Sequence, residues 1–161
     1  MVTRLARAGF LTAIIDGLFS SALSVLFYGS TVARLFQGVA STLLGREAFD
    51  GGTVTALLGV LMHVGVAFGW SAVFLFLLVR SSWIRRLLGS PHGVIKVAAV
   101  YGPSIWLVMS LAVIPLLTQR PPTIGLRWLI QLLGHFPFVG IPIVASIGTG
   151  PHAPATASAR T

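Results

Sequence analysis

The chain contains no cysteine, and only 9% of its 161 residues are charged. The absence of cysteine excludes a disulfide framework, a thiolate nucleophile and a cysteine-based metal site. Soluble globular domains carry about 25% charged residues, so this sequence cannot supply the charged surface of a water-soluble fold. Hydrophobic residues make up 55% of the chain, which also excludes disorder for most of it. The composition therefore predicts an integral membrane protein.

Four apolar segments are long enough to cross a bilayer, which requires about 20 mostly apolar residues in a helix. We therefore predict an all-α, polytopic membrane protein with four transmembrane helices in one domain over residues 1–148. Residues 149–161 are rich in Ala, Thr, Ser and Pro and are predicted to form a disordered tail. The first segment begins like a signal peptide, but we expect it to be retained because Asp16 interrupts its apolar region. The predicted helices cover about residues 8–28, 53–79, 94–117 and 128–147.

The net charge of +8 comes from 11 basic and 3 acidic residues. The basic residues are scattered between the apolar segments, so they do not indicate nucleic-acid binding. They indicate loop charge that orients the helices and meets anionic lipid head groups, above all at Arg80, Arg85 and Arg86. Basic residues are more frequent in the termini and the second loop than in the first and third loops. We therefore expect both termini to be cytoplasmic.

The first loop contains a segment with helical spacing of apolar residues, over about residues 32–44. It is too short to span a bilayer, so it predicts an amphipathic helix in the outer interface. A helix packed against the outer end of the bundle is an equally good interpretation. The expected apolar face consists of Val32, Leu35, Phe36, Val39 and Leu43, and the expected polar face of Arg34, Gln37 and Ser41.

Asp16 is the only acidic residue within the predicted spans. It falls about two turns into the first predicted helix, which places it about 10 Å from the cytoplasmic interface. A carboxylate at that depth has to face the bundle interior, pair with another group or hold a proton. One hypothesis is a proton or cation site. The other is a structural role, through a hydrogen bond to Tyr101, Ser104 or a backbone amide, or through contact with an arginine.

His63 and His135 lie in the second and fourth predicted helices, which both start at the outer side. Their depths differ by about one turn, or 5 Å, so we expect them to approach each other in the outer half of the bundle. Two facing imidazoles could relay protons, ligate a b-type haem or bind a metal ion. Alternatively, each is a neutral ring that is hydrogen-bonded to a serine, a threonine or a carbonyl of a neighbouring helix. No cofactor and no metal is assigned.

Glycine and proline mark further features of the predicted helices. Gly65 and Gly69 form a Gly-xxx-Gly pair, which favours close helix approach and is interpreted as packing inside the bundle. Pro137 and Pro142 lie in the fourth predicted helix, and either can kink it. The carbonyls that such a kink frees must find partners within the bundle.

Motifs of known enzymes are absent from the sequence. It contains no phosphate-binding loop, no dinucleotide fingerprint and no HExxH zinc motif. Glu47 and Asp50, the two acids outside the predicted spans, have no evident partner base. Our first hypothesis is therefore a non-enzymatic protein that is structural or accessory to a membrane assembly, with a membrane-protein partner or a second copy of itself. The alternatives are a proton- or ion-handling protein that uses Asp16, His63 and His135, and a bis-histidine haem protein.

Several short motifs together resemble a group of small bacterial inner-membrane proteins, the YagU-like family. The resemblance spans about residues 8–147, and the acidic loops of this chain are shorter than those of that family. It implies a four-helix inner-membrane bundle with a role in acid tolerance, and it puts forward Asp16, His63 and His135. The motifs are Ala13-x-x-Asp16, Gly51-Gly52 through Leu61-Met62-His63, Tyr101-Gly102, Met109 through Pro115-Leu116, Pro121-Pro122, and Gly134-His135 through Gly140-Ile141-Pro142.

Overall fold

The structure is a computed structural model that describes residues 1–149. Within this range the chain forms helices and no strands, and four of the helices are long and apolar enough to cross a membrane. The all-α prediction with four candidate spans is thereby confirmed. The predicted tail lies outside the described residues, apart from Thr149. The helices are α1 (Val2–Phe27), α2 (Val32–Leu44), α3 (Gly52–Arg80), α4 (Ser82–Leu88), α5 (Gly93–Thr118) and α6 (Leu126–Gly148).

Helix α1 starts earlier than the sequence suggested, at Val2 instead of about residue 8. The residues before the apolar segment include two arginines but neither glycine nor proline, so nothing interrupts the helical backbone there. Asp16 is consequently about 20 Å along the helix from its first residue, at 1.5 Å per residue. Asp16 is closer to the C-terminal end of α1 than to its start, and its expected depth of about 10 Å from the cytoplasmic interface stays a prediction.

Helix α4 occupies what the sequence indicated as a loop. Ser81 caps it, because the Ser81 hydroxyl accepts a hydrogen bond from the Ile84 N–H at 3.2 Å. Arg85 reaches back to α3, where its Nη1 donates to the carbonyls of Leu78 and Val79, both at 2.8 Å. These carbonyls end α3 without partners in their own helix, so the guanidinium satisfies them and complements the negative end of the helix dipole.

The helices pack most densely around the N-terminal part of α1, together with the parts of α3, α5 and α6 that adjoin it. Helix α1 contacts α3 and α6, and α6 also contacts α5. Small side chains let the helices approach: Ala8 and Ala98 are fully buried. We call this region the packed half. Its buried apolar residues are Ala8, Phe74, Val97, Ala98, Ile105, Val139, Ile143, Val144 and Ile147.

Two glycines allow the backbones of α5 and α6 to meet. A Cβ atom at Gly102 would collide with the carbonyl oxygen of His135, and a Cβ atom at Gly140 would collide with the carbonyl oxygen of Ala98. Backbone atoms have little freedom to move aside, so a glycine is required at both positions. This crossing also fixes the backbone from which the His135 side chain projects.

The Gly65–Gly69 pair does not pack inside the bundle. Both residues are exposed, and a Cβ atom at either position would have no neighbouring heavy atom within 4 Å in the part of the chain that is described. The prediction of internal packing was therefore wrong. The spacing of a small-residue motif carries no information about which helix face it occupies, and this pair lies on the outer face of α3.

Three of the long helices contain a π-helical turn. The turns are Leu23–Phe27 at the end of α1, Met109–Val113 in α5 and Phe136–Gly140 in α6. Pro137 lies in the last of these, two residues after His135, and a proline lacks the N–H that a regular helical bond would need. The irregularity expected from the prolines of α6 is thus a wide turn at Pro137.

Helix α2 packs against α3 and the last turn of α5. The approach to α3 is close, because a Cβ atom at Gly59 would overlap the carbonyl oxygen of Phe36. Gln37, which was expected on the polar face, is 6% exposed and donates through Nε2 to the carbonyl oxygen of Gly52 at 3.0 Å. That placement was wrong because the Gln37 amide donates to a backbone carbonyl of α3, and this hydrogen bond offsets the cost of burying a polar side chain. Val32 and Leu43 are exposed.

Candidate functional site

A cavity of about 840 Å³ lies between α1, α2, α3, α5 and α6. Residues 120–123 of the α5–α6 connection line its mouth. Buried side chains of the packed half close its opposite end, among them Thr12, Ile105 and Ile143. We call this region the hollow half. Most of the residues that line it are apolar, and the ionisable ones are Asp16, His63, Arg120, Arg127 and His135.

Asp16 and His63 face each other across the cavity wall, from α1 and α3. The Nδ1 atom of His63 lies 4.0 Å from Oδ2 of Asp16, and less than a fifth of either side chain is exposed. The other ring nitrogen of His63, Nε2, is 3.0 Å from the carbonyl oxygen of Ala13. A carbonyl only accepts, so Nε2 carries a proton and donates it there. Nδ1 is therefore the nitrogen that gains or loses a proton, and it faces a carboxylate.

His135 lines the same cavity from α6. Its Nδ1 is 2.7 Å from the carbonyl oxygen of Gln131, one turn earlier in the same helix, so Nδ1 carries the proton and Nε2 is free to accept one. The ring packs against Trp106, with 4.9 Å between ring centroids. The structure thus places all three of these predicted residues around one cavity.

Several buried polar atoms around the cavity lack a hydrogen-bond partner among residues 1–149. Five such side-chain atoms occur in that range, and four of them belong to residues that line the cavity. A buried polar group without a partner costs about 1–3 kcal/mol, so each of these groups would be stabilised by a hydrogen bond to water or to a ligand in the cavity. The four atoms are Thr12 Oγ1, Asp16 Oδ1, Trp106 Nε1 and Gln131 Oε1.

Tyr101 does not belong to the site. Its hydroxyl donates to the carbonyl oxygen of Trp70 at 2.6 Å, which links α5 to α3 inside the packed half. The Ser104 hydroxyl donates to the carbonyl of Val100 in its own helix. Neither hydroxyl bonds Asp16, so the structural interpretation of Asp16 through Tyr101 or Ser104 was wrong. The histidines do bond to carbonyls, as one of the alternatives anticipated, although His135 uses its own helix.

The geometry is not that of a preformed metal centre. No group of three His, Asp or Glu side chains in the described range is arranged to hold a metal ion. A haem between His63 and His135 would require a free nitrogen on each ring. The Nε2 atom of His63 is bonded to Ala13, and its Nδ1 faces Asp16, so the ring would have to turn to ligate iron. The haem hypothesis stays a prediction, and it requires rotation of the His63 ring.

Sequence reasoning missed part of the site. Thr12, Gln131 and Trp106 were not proposed, although Thr12 lies one turn before Asp16 and Gln131 one turn before His135. Polar residues at a spacing of four lie on the same helix face as the ionisable residue, so that spacing was the available signal. Trp106 had no such signal, because an indole in an apolar span is compatible with any face.

Comparison of the chain with protein-family models, with curated proteins and with solved structures gives no match. The resemblance to the YagU-like family therefore stays a prediction. The functional argument rests on the residues of the cavity alone.

Proposed function

We propose that this chain is a multi-pass membrane protein that takes up and releases a proton at the Asp16–His63 pair. The observation that carries the proposal is the orientation of the His63 ring. Its Nε2–H donates to the Ala13 carbonyl, which leaves Nδ1 and the Asp16 carboxylate facing each other at 4.0 Å. When both groups are deprotonated, two acceptors face each other and neither has a donor. One proton on either of them makes the contact favourable.

The cavity gives this pair access to water from one end. Asp16, His63 and His135 line it together with Ser20 and Gln131, while the packed half closes the opposite end. Gln131 Nε2 lies 3.5 Å from the Ser20 hydroxyl, which links α6 to α1 beside the pair. The accepting nitrogen of His135 provides a second position for the proton. Water that enters at the mouth can therefore exchange protons with the site.

For the membrane context we propose the bacterial inner membrane with both termini cytoplasmic. The excess of basic residues around the α3–α4 connection supports this orientation. Arg80 and Arg86 are exposed and available to lipid head groups, whereas Arg85 is bonded to the end of α3. In this orientation the mouth of the cavity faces the periplasm, and α2 lies in the outer interface with Val32 and Leu43 toward lipid.

The proposal is tested by infrared titration of the purified protein in liposomes. A protonated carboxyl group has its own carbonyl band, and the chain contains only three acidic side chains. We expect a band that disappears as the pH rises and that is lost in Asp16→Asn. We also expect His63→Gln to shift the pH at which it disappears, because the two groups share a proton.

Ser104→Ala is the matched control, because it removes a polar group of α5 that bonds only within its own helix. It should leave the band unchanged. Tyr101→Phe tests the remaining predicted residue and should also leave the band unchanged, since Tyr101 lies outside the cavity wall. A band that does not titrate, or that ignores His63→Gln, would contradict the proposal.

A structural or accessory role is the second candidate. The exposed face of α3 that carries Gly65 and Gly69 favours it, because small residues on an outer helix face permit close approach of another helix. Gly65→Ile should then release a co-purifying helical partner or convert an oligomer to a monomer. A protein that is already monomeric and free of partners would contradict this role.

A further inference from the structure

We propose that the cavity binds a lipophilic organic cation, with Asp16 as its counter-ion and the indoles of the wall around its apolar body. This inference rests on the proposed function, since the cation replaces the proton that Asp16 and His63 share. On binding, one proton leaves the pair for water, so the net charge of the occupied site is unchanged.

The first argument is the chemistry of the unpartnered atoms. Of the four unpartnered atoms, Oδ1 of Asp16 and Oε1 of Gln131 are acceptors, the hydroxyl of Thr12 can accept, and Nε1 of Trp106 is a donor. Asp16 is also the only acid that lines the cavity. A cation neutralises the Asp16 carboxylate, which an anion or a hydrocarbon does not do.

The second argument is the aromatic wall. Three of the four tryptophans of the chain, Trp70, Trp106 and Trp128, line the cavity. Indole faces attract cations, and most strongly where water is excluded. The cavity volume of about 840 Å³ exceeds what an inorganic ion needs and suits a ligand with an apolar body.

The charged groups around Asp16 determine whether the cavity favours a cation or an anion. His63 faces it from α3 and His135 from α6, and both are neutral in the cation-bound state. The lining residues of α2 and α5 add no charged side chain. Arg120 and Arg127 lie at the mouth, where the Arg127 guanidinium packs over the Tyr28 ring at 4.3 Å. These arginines favour an amphipathic anion instead, which makes that ligand the alternative to test.

The test compares tetraphenylphosphonium with tetraphenylborate, which have the same shape and opposite charge. Binding to the detergent-solubilised chain is measured by calorimetry at alkaline pH, against detergent blanks. We expect tetraphenylphosphonium to bind and tetraphenylborate not to bind. Asp16→Asn should weaken phosphonium binding by about tenfold or more, because one member of a desolvated charge pair is lost. Trp106→Leu should weaken it less, and Trp83→Leu, outside the cavity, should not change it.

Two further measurements keep the outcome interpretable if Asp16→Asn fails to fold. Acidification of the wild-type protein should displace tetraphenylphosphonium. At a lower pH, where the Asp16–His63 pair still holds its proton, the binding heat should depend on the ionisation enthalpy of the buffer because that proton is released. Tetraphenylborate binding that Arg120→Gln or Arg127→Gln removes would overturn the proposal in favour of an anion. Binding of neither ion would overturn it in favour of a cavity that holds only water.

Failure of this inference is distinguishable from failure of the proposed function. The infrared titration contains no organic cation. If the Asp16 band titrates but tetraphenylphosphonium does not bind, the proton-exchange proposal is kept and the cation site is rejected. If tetraphenylphosphonium binds without proton release and the Asp16 band does not titrate, the proton-exchange proposal is rejected and the cation site is kept.

Discussion

The packed half and the hollow half are built from the same four long helices, yet one is filled and the other is open. In the packed half, glycine and alanine let the backbones meet, and Phe74 and Ile143 fill the remaining space with less than 2% exposure. In the hollow half, the side chains surround a cavity of about 840 Å³, and four of their polar atoms have no partner within residues 1–149. The same bundle therefore combines a region that fixes helix positions with a region that presents chemical groups.

The difference implies that the site depends on the packing beside it. His135 precedes the π-helical turn of α6, and its carbonyl lies against Gly102 of α5. The direction of the His135 ring is thus set by a backbone contact of the packed half. A substitution that disrupts this contact should therefore alter the site in the hollow half, whereas a substitution on the outer face of α3 should not.

The largest effect on stability is expected for Gly102→Ala. The added methyl group would overlap the His135 carbonyl, which is backbone and cannot turn away, and overpacking of this kind costs about 1–3 kcal/mol. Gly65→Ala is the matched control, because nothing lies within 4 Å of its Cβ position in the described part of the chain. It should be neutral or slightly stabilising, since alanine has the higher helix propensity.

Unfolding in mild detergent, followed by circular dichroism, compares the two variants. The account also expects Gly102→Ala to change the pH dependence of the Asp16 band and Gly65→Ala to leave it unchanged. Equal stability of the two variants would show that the contact between α5 and α6 does not define the packed half.

A smaller effect is expected for Gln37→Ala, which removes the bond that connects α2 to the start of α3. The side chain is 6% exposed, and the variant loses its hydrogen bond to the Gly52 carbonyl, which still accepts from the Thr55 hydroxyl at 3.2 Å. The expected cost is therefore that of one hydrogen bond, about 0.5–1.5 kcal/mol. We expect faster proteolysis at the α2–α3 connection. Ser41→Ala is the control, because the Ser41 hydroxyl bonds only to Gly38 in α2 itself. Identical proteolysis of both variants would contradict a stabilising role for Gln37.

The four spans could be predicted from the sequence because bilayer crossing depends on local properties, namely the length and apolarity of a segment. The grouping of Asp16, His63 and His135 was also within reach, since few ionisable residues occur in the spans and helix rise gives their depth. The hydrogen-bond partner of each group could not be predicted from the sequence. The atom to which His63 bonds depends on the rotation of α3 about its axis. A helix that is apolar on all sides gives no sequence signal for that rotation.

The same reason explains the errors at other positions. Gly65 and Gly69 have the spacing of a packing motif, but the residues that meet another backbone are Gly102 and Gly140. Glycines are frequent in all four spans, so spacing alone did not distinguish a contact face from an outer face. Helix α4 escaped prediction because seven residues are too few to show periodicity, and its Ser81 cap became evident only from the structure.

The central claim, a proton shared by Asp16 and His63, is tested most directly by nitrogen-15 NMR of the histidine-labelled protein in bilayers. The chain has four histidines, and variants at His63 and His135 assign their signals. The account predicts opposite neutral tautomers, with the proton on Nε2 in His63 and on Nδ1 in His135. It further predicts that the Nδ1 signal of His63 titrates over the same pH range as the Asp16 carboxyl band. A His63 ring whose proton resides on Nδ1 at high pH, or whose titration is unchanged in Asp16→Asn, would contradict the account.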